Sequence, residues 1–592
     1  MKNLYFILSA LLLSQSFSVF SQQVQKTNAL ANQYKNISQE GIYVHYSSSV
    51  LFAGEYLFYK VFCINKNTKW LSGISEIAYV ELIAENGEPV FKHKVELVAG
   101  EADSDFFIPT YVESGSYKLI AYTRWMKNVG LGSFFQADIG IINPYKQNQK
   151  AILAGSFEDT SVLDSKKKGL DASSDDTRGF ALQLDKKTFG IREKVMLDFK
   201  NFKGGKGNGK YSLSVRKIDA VSQLLKHNNL NTNIELFNST SNTKTARDKT
   251  FYLPEYSGTI LRGRVIEKQT NLPAKQNVAI SVSGNNFLFR AKSTNDKGEF
   301  VFFALDANYG NNDAVIQVLG DNKKDYKIVM EEDEAIDYTS LSFTPFQIDE
   351  SVRNVITERS IYNQVENGYY SIKPDTIRPI KPNVPFTYYE DITTTNLDEF
   401  TRFSTMKEVF TELIKNAWTG TDTLGNHVVK VRQEDDDEET NFLPLLFIDG
   451  VFVQNHDRLL SYNALKVDKI SVLRKYYIYG TTYYQGVILV ETKLKDYQNQ
   501  EFGDYLKSVE LYQPQQNKSY FEQAYSRETF EKEARTPDYR TQLLWEPNIE
   551  LSTAEMSFQF FTSDNLGKYE ISVEGVTVEG KPVSLHQTFI VE

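Results

Sequence analysis

The sequence predicts a mainly β, multidomain protein: β-sandwiches in series, with one small α/β domain late in the chain. Three observations carry this. Aromatic residues make up 13% of the 592 residues, with 39 Phe and 35 Tyr, and such side chains suit pleated, half-buried surfaces. Short apolar runs alternate with turn signals up to about residue 345. Near residue 349 the pattern changes to a helical period, and the last part of the chain returns to strands.

The bulk numbers narrow the function. A length of 592 residues with 41% hydrophobic content allows several well-packed domains. A net charge of -10 without a Lys/Arg cluster argues against nucleic acid as a partner. The run Glu434-Asp435-Asp436-Asp437-Glu438-Glu439 reads as a solvated loop. It lacks the alternating ligands and central Gly of a calcium loop, so no metal or other cofactor is expected there or elsewhere. Cys63 is the single cysteine, which leaves no intrachain disulfide.

Residues 1–21 read as an export signal, with Lys2 before the apolar "LYFILSALLL" and small residues ahead of a cut after Ser21. No Cys stands near that cut, so attachment through an N-terminal lipidated Cys is not expected, and no other run could span a membrane as a helix. Residues 22–40 read as a linker. Residues 41–145 hold strands such as "GEYLFYKVFCIN" and "GSYKLIAYTRWM", a first sandwich, and the Ser/Asp/Lys-rich 146–177 reads as a second linker. Residues 178–255 are expected to form a second sandwich with a polar insertion at 220–250, and 256–345 a third. A helical and Pro-containing connector follows at 346–399, with Val352, Val355 and Ile356 on one helix face.

The α/β domain is placed at 400–495. Thr405 and Glu408 make a capping box ahead of an apolar stripe, Met406, Val409, Phe410, Leu413 and Ile414. In "PLLFIDGVFV" the pair Asp449-Gly450 signals a two-residue hairpin, so Asp449 reads as a turn residue rather than a catalytic carboxylate. Residues 496–592 are expected to form a C-terminal β-rich region. "GSYKL", "GEFVF" and "GKYEI" each set Gly two residues before an inward aromatic, which makes Gly298 and Gly567 candidate turn residues. Duplication and independently recurring hairpin chemistry both produce that pattern.

No catalytic set stands out. "GGKGNGKY" at 204–211 nearly matches a phosphate loop, but Tyr211 replaces the Ser or Thr, and the next segment reads as a strand. His45, His93, His227, His427, His456 and His586 form no close ligand pair. Tyr476, Tyr477, Tyr479, Tyr483 and Tyr484 cluster beside the late strands, and both a binding surface and burial against neighbouring domains fit them.

Several stretches carry resemblances. "GIYVHYSSSVLFAGEYLFYKVFCI" with "GSYKLIAYTRWMKN" resembles the macroglobulin-type, Ig-like β-sandwich of exported proteins of Bacteroidota, and 178–255 resembles a following macroglobulin-like domain. "LRGRVIEKQTNLPAKQNVAISVSG" resembles the carboxypeptidase-regulatory-like sandwich, an accessory fold that implies no peptidase activity. The stretch from "FLPLLFIDGVFV" to "YYQGVILVETK" is similar to the plug of TonB-dependent receptors, and the C-terminal stretches resemble the tail of the same multidomain family. The residues after Lys493 do not suffice for the large barrel such a receptor needs. Cys63, within "KVFCIN", lies outside any thioester motif.

The combination implies a non-enzymatic exported scaffold, in the periplasm or on the outer membrane, that docks to an outer-membrane protein or transport assembly. A hydrolase acting on peptide or glycan at a domain junction, and protease capture without a thioester, are the alternatives. Capture would need a cleavable loop, for which 146–177 and 220–250 are the candidates.

Overall fold

The computed structural model describes residues 37–153, 180–201, 205–230, 251–284, 288–304, 310–378, 392–433, 442–479, 482–497, 500, 503–525 and 535–592. The export signal, most of both linkers, most of the polar insertion and the acidic run 434–439 lie outside them. The described chain is mainly β and forms two compact units. One comprises residues up to 256 with 336–378 and 515–592; the other comprises 257–335 and 379–514. Among the described residues no helix is long and apolar enough to cross a membrane.

In the first unit, the strands Glu40–Tyr46, Tyr56–Asn65 and Glu101–Phe107 form one sheet. Val50–Phe52, Phe135–Ile142, Gly115–Tyr122, Ile77–Ala84 and Pro89–Glu96 form the sheet that faces it. Every residue of Glu40–Tyr46 is buried, where a two-layer sandwich would leave alternate residues in water. The reason is a third layer. Tyr43 donates to Glu574, and His45 bonds Ser212 and Ser572. Lys60, fully buried, donates to Asn548 at 2.7 Å and pairs with Glu101 at 3.1 Å. Cys63 is fully buried in the core, as a small strand residue would be.

That third layer corrects the expected boundaries. The strands of 178–255 do not close a sandwich by themselves. Gly209–Lys217 lies between Gln542–Leu551 and Gly567–Thr577, and Lys194–Asn201 lies between Phe180–Leu184 and Glu555–Phe561. Residues 180–217 supply four strands, one of them only two residues long, too few to cover their own apolar faces. The C-terminal strands complete them, so 178–255 and the end of 496–592 share one sandwich. "GGKGNGKY" accordingly runs into the strand Gly209–Lys217 rather than a helix.

The second unit holds the third sandwich. Glu299–Ala304, Thr259–Glu267 and Tyr326–Glu331 form one sheet; Leu288–Ser293, Asn277–Gly284, Gly310–Val318 and Leu506–Glu510 form the other. Its last strand comes from the stretch expected to belong to the C-terminal region. Phe300, two residues after Gly298, is 2% exposed, and Tyr569, two after Gly567, is fully buried. Gly298, φ +69°, lies in the turn ahead of its strand; Gly567, φ +128°, is the first residue of its strand, paired with Val591; Gly115 is not in the left-handed region.

The α/β part follows. Its five strands run in the order Thr393–Asn396, Val467–Tyr479, Thr482–Thr492, Leu445–Ile448, Val451–Phe452. The helix Met406–Glu412 starts at the capping box: Thr405 Oγ1 accepts from Glu408 N, and Thr405 N donates to Glu408 Oε2 at 3.1 Å. Met406, Val409, Phe410 and Ile414 are buried in the core below, and Leu413 packs against it.

Candidate interaction surface

The opening of this site is the hairpin at Asp449-Gly450. Its two residues have φ +49° and +80°, the mirror-image turn that matches strand twist, and Phe447 and Ile448 pair with Phe452 and Val451. The Asp449 carboxylate accepts from Thr492 N at 2.7 Å, Thr492 Oγ1 at 2.6 Å and Tyr497 N at 3.2 Å. Asp449 therefore staples the turn to the end of the neighbouring strand and leaves little lone-pair capacity for chemistry. Asp449→Ala is expected to destabilise this unit by about 2–4 kcal/mol, because it orphans buried N–H groups and removes the short polar side chain that makes positive φ tolerable there. Urea unfolding would show it as a lower midpoint with unchanged slope.

Val467–Tyr479 and Thr482–Thr492 form a hairpin longer than the sheet it belongs to. Thr393–Asn396 covers the outer edge only at 469–472, and Leu445–Ile448 covers the other edge at 487–490. Beyond these the two strands continue as a ribbon, with Tyr476 opposite Gln485, Tyr477 opposite Tyr484, Ile478 opposite Tyr483 and Tyr479 opposite Thr482. Among the described residues no strand pairs with the outer edge of 473–479. The ribbon begins at a register shift between Leu473 and Tyr476. Opposite that shift Gly486 has φ +81°, and a Cβ there would sit 2.6 Å from the Leu473 carbonyl oxygen, so only glycine fits the bulge.

The ribbon divides the five candidate tyrosines by strand alternation. Tyr477 and Tyr484 lie on one face and pack on the cluster that joins Phe447, Phe452 and Leu473 to Phe289 of the third sandwich. Tyr476 and Tyr483 lie on the other face and are 50% and 51% exposed, beside Ile478 at 61%. Phe442, 44% exposed, stacks on Tyr483 with ring centres 5.5 Å apart. Tyr479 takes part through its backbone pairing with Thr482. Ile478 and Phe442 were not singled out from sequence, although period-two spacing puts Ile478 beside Tyr476. The result is an aromatic patch on a ribbon along whose outer edge, at 473–479, no strand of the described residues pairs, and such a surface suits contact with another chain. Tyr and Phe offer large contact area at low entropy cost, and an open edge can accept another strand.

Elsewhere the charged clusters are built into the fold. His45, 1% exposed, lies 2.6 Å from Ser212 Oγ and 3.0 Å from Ser572 Oγ, and burial pushes its pKa well down. His227 is lowered to about 4 by burial. Burial opposes the charge on His586 too, but Glu570 and Glu574, each 3.5 Å away, outweigh it and push it up to about 10. Three histidines thus meet at the seam between the first two sandwiches, a grouping that their spacing along the chain does not reveal. Glu574 is occupied there by Tyr43, Leu230 N and Ser584. Among the described residues no group of three or more His, Cys, Asp or Glu is arranged to hold a metal ion.

No protein-family model and no curated protein matches the chain. Among solved structures it is similar to Escherichia coli α2-macroglobulin activated by porcine elastase, at 9% identity and a TM-score of 0.23, over 93% of this chain and 44% of that one. Salmonella α2-macroglobulin reacted with methylamine matches at 8% identity and 0.22, over 93% and 39%. Trypsin-activated E. coli α2-macroglobulin matches at 10% identity and 0.23, over 94% and 42%. The chain spans less than half the length of each of these structures.

Proposed function

We propose that the chain is a non-enzymatic scaffold that binds a partner protein through the ribbon of its plug-like domain. The observation that carries this reading is the open-edged ribbon bearing exposed Tyr476, Ile478 and Tyr483 on a firmly packed sheet. A partner strand would add along 473–479, with main-chain hydrogen bonds supplying affinity and the aromatic patch supplying selectivity. The plug-like resemblance of the surrounding sequence and the export signal read at 1–21 make an envelope protein the partner, an outer-membrane protein or transport assembly in particular. In this reading the sandwiches present further surfaces.

The combined variant Tyr476→Ser, Ile478→Ser, Tyr483→Ser tests it. Exposed positions cost about 0.5 kcal/mol or less each, so thermal unfolding is expected to stay close to that of the parent chain. Partner capture from cross-linked envelopes is expected to be lost. Undiminished capture of the same partner by this variant would overturn the reading.

A further inference from the structure

The first unit contains a cleft of about 170 Å³ between the Gly54-Glu55 turn, the helix Arg353–Gly368 and the strand Gln542–Leu551. It is independent of the ribbon and of the function proposed above. Its walls are aromatic. Tyr56 and Tyr370 stand nearly parallel, with ring centres 6.0 Å apart, and Phe58 packs against Trp545 at 5.9 Å. A space of about 150 Å³ suffices for one six-membered ring, so this cleft accepts one ring-sized group.

Three carboxylates, Glu55, Glu366 and Asp375, and three cations, Arg216, Lys373 and Arg540, line the wall, and all but Asp375 are ion-paired. Arg216 holds Glu55 at 3.0 Å, Lys373 holds Glu366 at 2.7 Å, and Arg540 holds Asp538 at 2.7 Å. No net charge is offered, so an ionic ligand gains nothing here that it does not lose in desolvation. Three polar functions stay unfilled: the Trp545 indole N–H, the Tyr520 hydroxyl and one Asp375 oxygen. Trp545 is 4% exposed, and its buried indole N–H has no acceptor among the described residues. Asp375 accepts from Phe521 N at 2.9 Å through one oxygen only, and its other oxygen has no hydrogen-bond partner among the described residues. A buried donor left unmade is costly, and native interiors rarely leave one so.

The occupant that fits must be neutral, must lay an apolar face on an aromatic wall, and must carry both an acceptor for Trp545 and a donor for Asp375 on its rim. A plain aromatic side chain lacks the rim groups. We propose that the cleft binds one neutral sugar ring, its apolar face on an aromatic wall and its hydroxyls on Trp545 and Asp375.

The test uses the full chain with glucose, galactose, mannose and N-acetylglucosamine, and a tyrosine-containing tripeptide as the competing chemistry. Calorimetry and tryptophan emission are read together. At least one sugar is expected to bind saturably and alter emission. Trp545→Phe keeps the wall and removes the N–H; Asp375→Asn alters the rim without touching the core. Each is expected to weaken that sugar about tenfold, as loss of one hydrogen bond to a buried partner does, while unfolding like the parent chain. Should Trp545→Phe disturb folding, Asp375→Asn alone decides. No saturable sugar binding, affinity unchanged in the folded variants, or preferential binding of the tripeptide would each overturn the proposal.

Discussion

A chain ended after Arg535 is expected to lose the second sandwich altogether. The four strands removed are Gln542–Leu551, Glu555–Phe561, Gly567–Thr577 and Pro582–Val591. Gly209–Lys217 would then have no neighbour on either side, and Lys194–Asn201 would keep only Phe180–Leu184. Twelve of the twenty buried side chains in that core lie beyond residue 535. At about 1.5–3 kcal/mol for each buried side chain, their loss exceeds the roughly 5–15 kcal/mol by which a domain is stable. Hydrogen exchange followed by mass spectrometry would read the result: amides of 180–217 exchanging at unprotected rates. The third sandwich takes its strands from 259–331 and 506–510 and is expected to stay protected, which makes it the internal control. Retained protection across 209–217 would mean the pairing with the C-terminal strands is wrong.

The second large effect is expected at Arg359. Its guanidinium is buried and grips Glu55 with two bonds of 2.7 Å, donates to the Val50 carbonyl at 3.1 Å and reaches Asp219 at 3.3 Å. It also lies 4.6 Å above the Phe52 ring. Arg216 reaches the same Glu55 at 3.0 Å. Removing one member of a buried ion-pair network costs up to about 3–5 kcal/mol, and here Glu55 would keep Arg216 alone as its cation. Arg359→Ala is expected to destabilise the first unit by that amount, measured by denaturant unfolding. Arg359→Lys should recover little of it, because an ammonium cannot match both carboxylate oxygens.

The same network sets a pH dependence. Burial pushes the Glu55 carboxyl up, but Arg359 and Arg216 outweigh this and hold it below its ordinary value of 4.5. A depressed carboxyl stabilises above its unfolded value and loses that contribution as pH falls. The difference between Arg359→Ala and the parent chain should therefore shrink on acidification below about pH 4.5. A difference that stays constant would remove the ion pair from the account.

The local features of the fold were legible because their chemistry is local. Asp449-Gly450 demands a mirror-image turn wherever it sits between apolar strands, and Thr405 with Glu408 caps a helix whatever surrounds it. The pairing of Gly209–Lys217 with strands more than 300 residues later leaves no such mark, because β register depends on which distant edge happens to be open. Helix Arg353–Gly368 shows a second kind of limit. Val352, Val355 and Ile356 announced an apolar face, and they do pack inward. Yet no spacing in the sequence marks Arg359, Asn363 and Asn367, which bond to the Glu55 carboxylate and the carbonyls of Val50, Ala53 and Gly54. Only the folded turn at residues 53–55 gives them partners. The tyrosine cluster lies between these cases: alternation separates 476 from 477, but which side meets the third sandwich is a tertiary fact.

The central claim, docking through the ribbon, is tested most directly by a photo-activated cross-linking residue placed at Ile478 in the native cell envelope. Leu424, 81% exposed in the turn between Ala417–Thr421 and His427–Val431, serves as the control position. The account predicts one discrete adduct from position 478, absent from position 424, and suppressed when Tyr476 and Tyr483 are changed to Ser. Equal labelling from both positions, or none from position 478 in cells that assemble the protein normally, would contradict it.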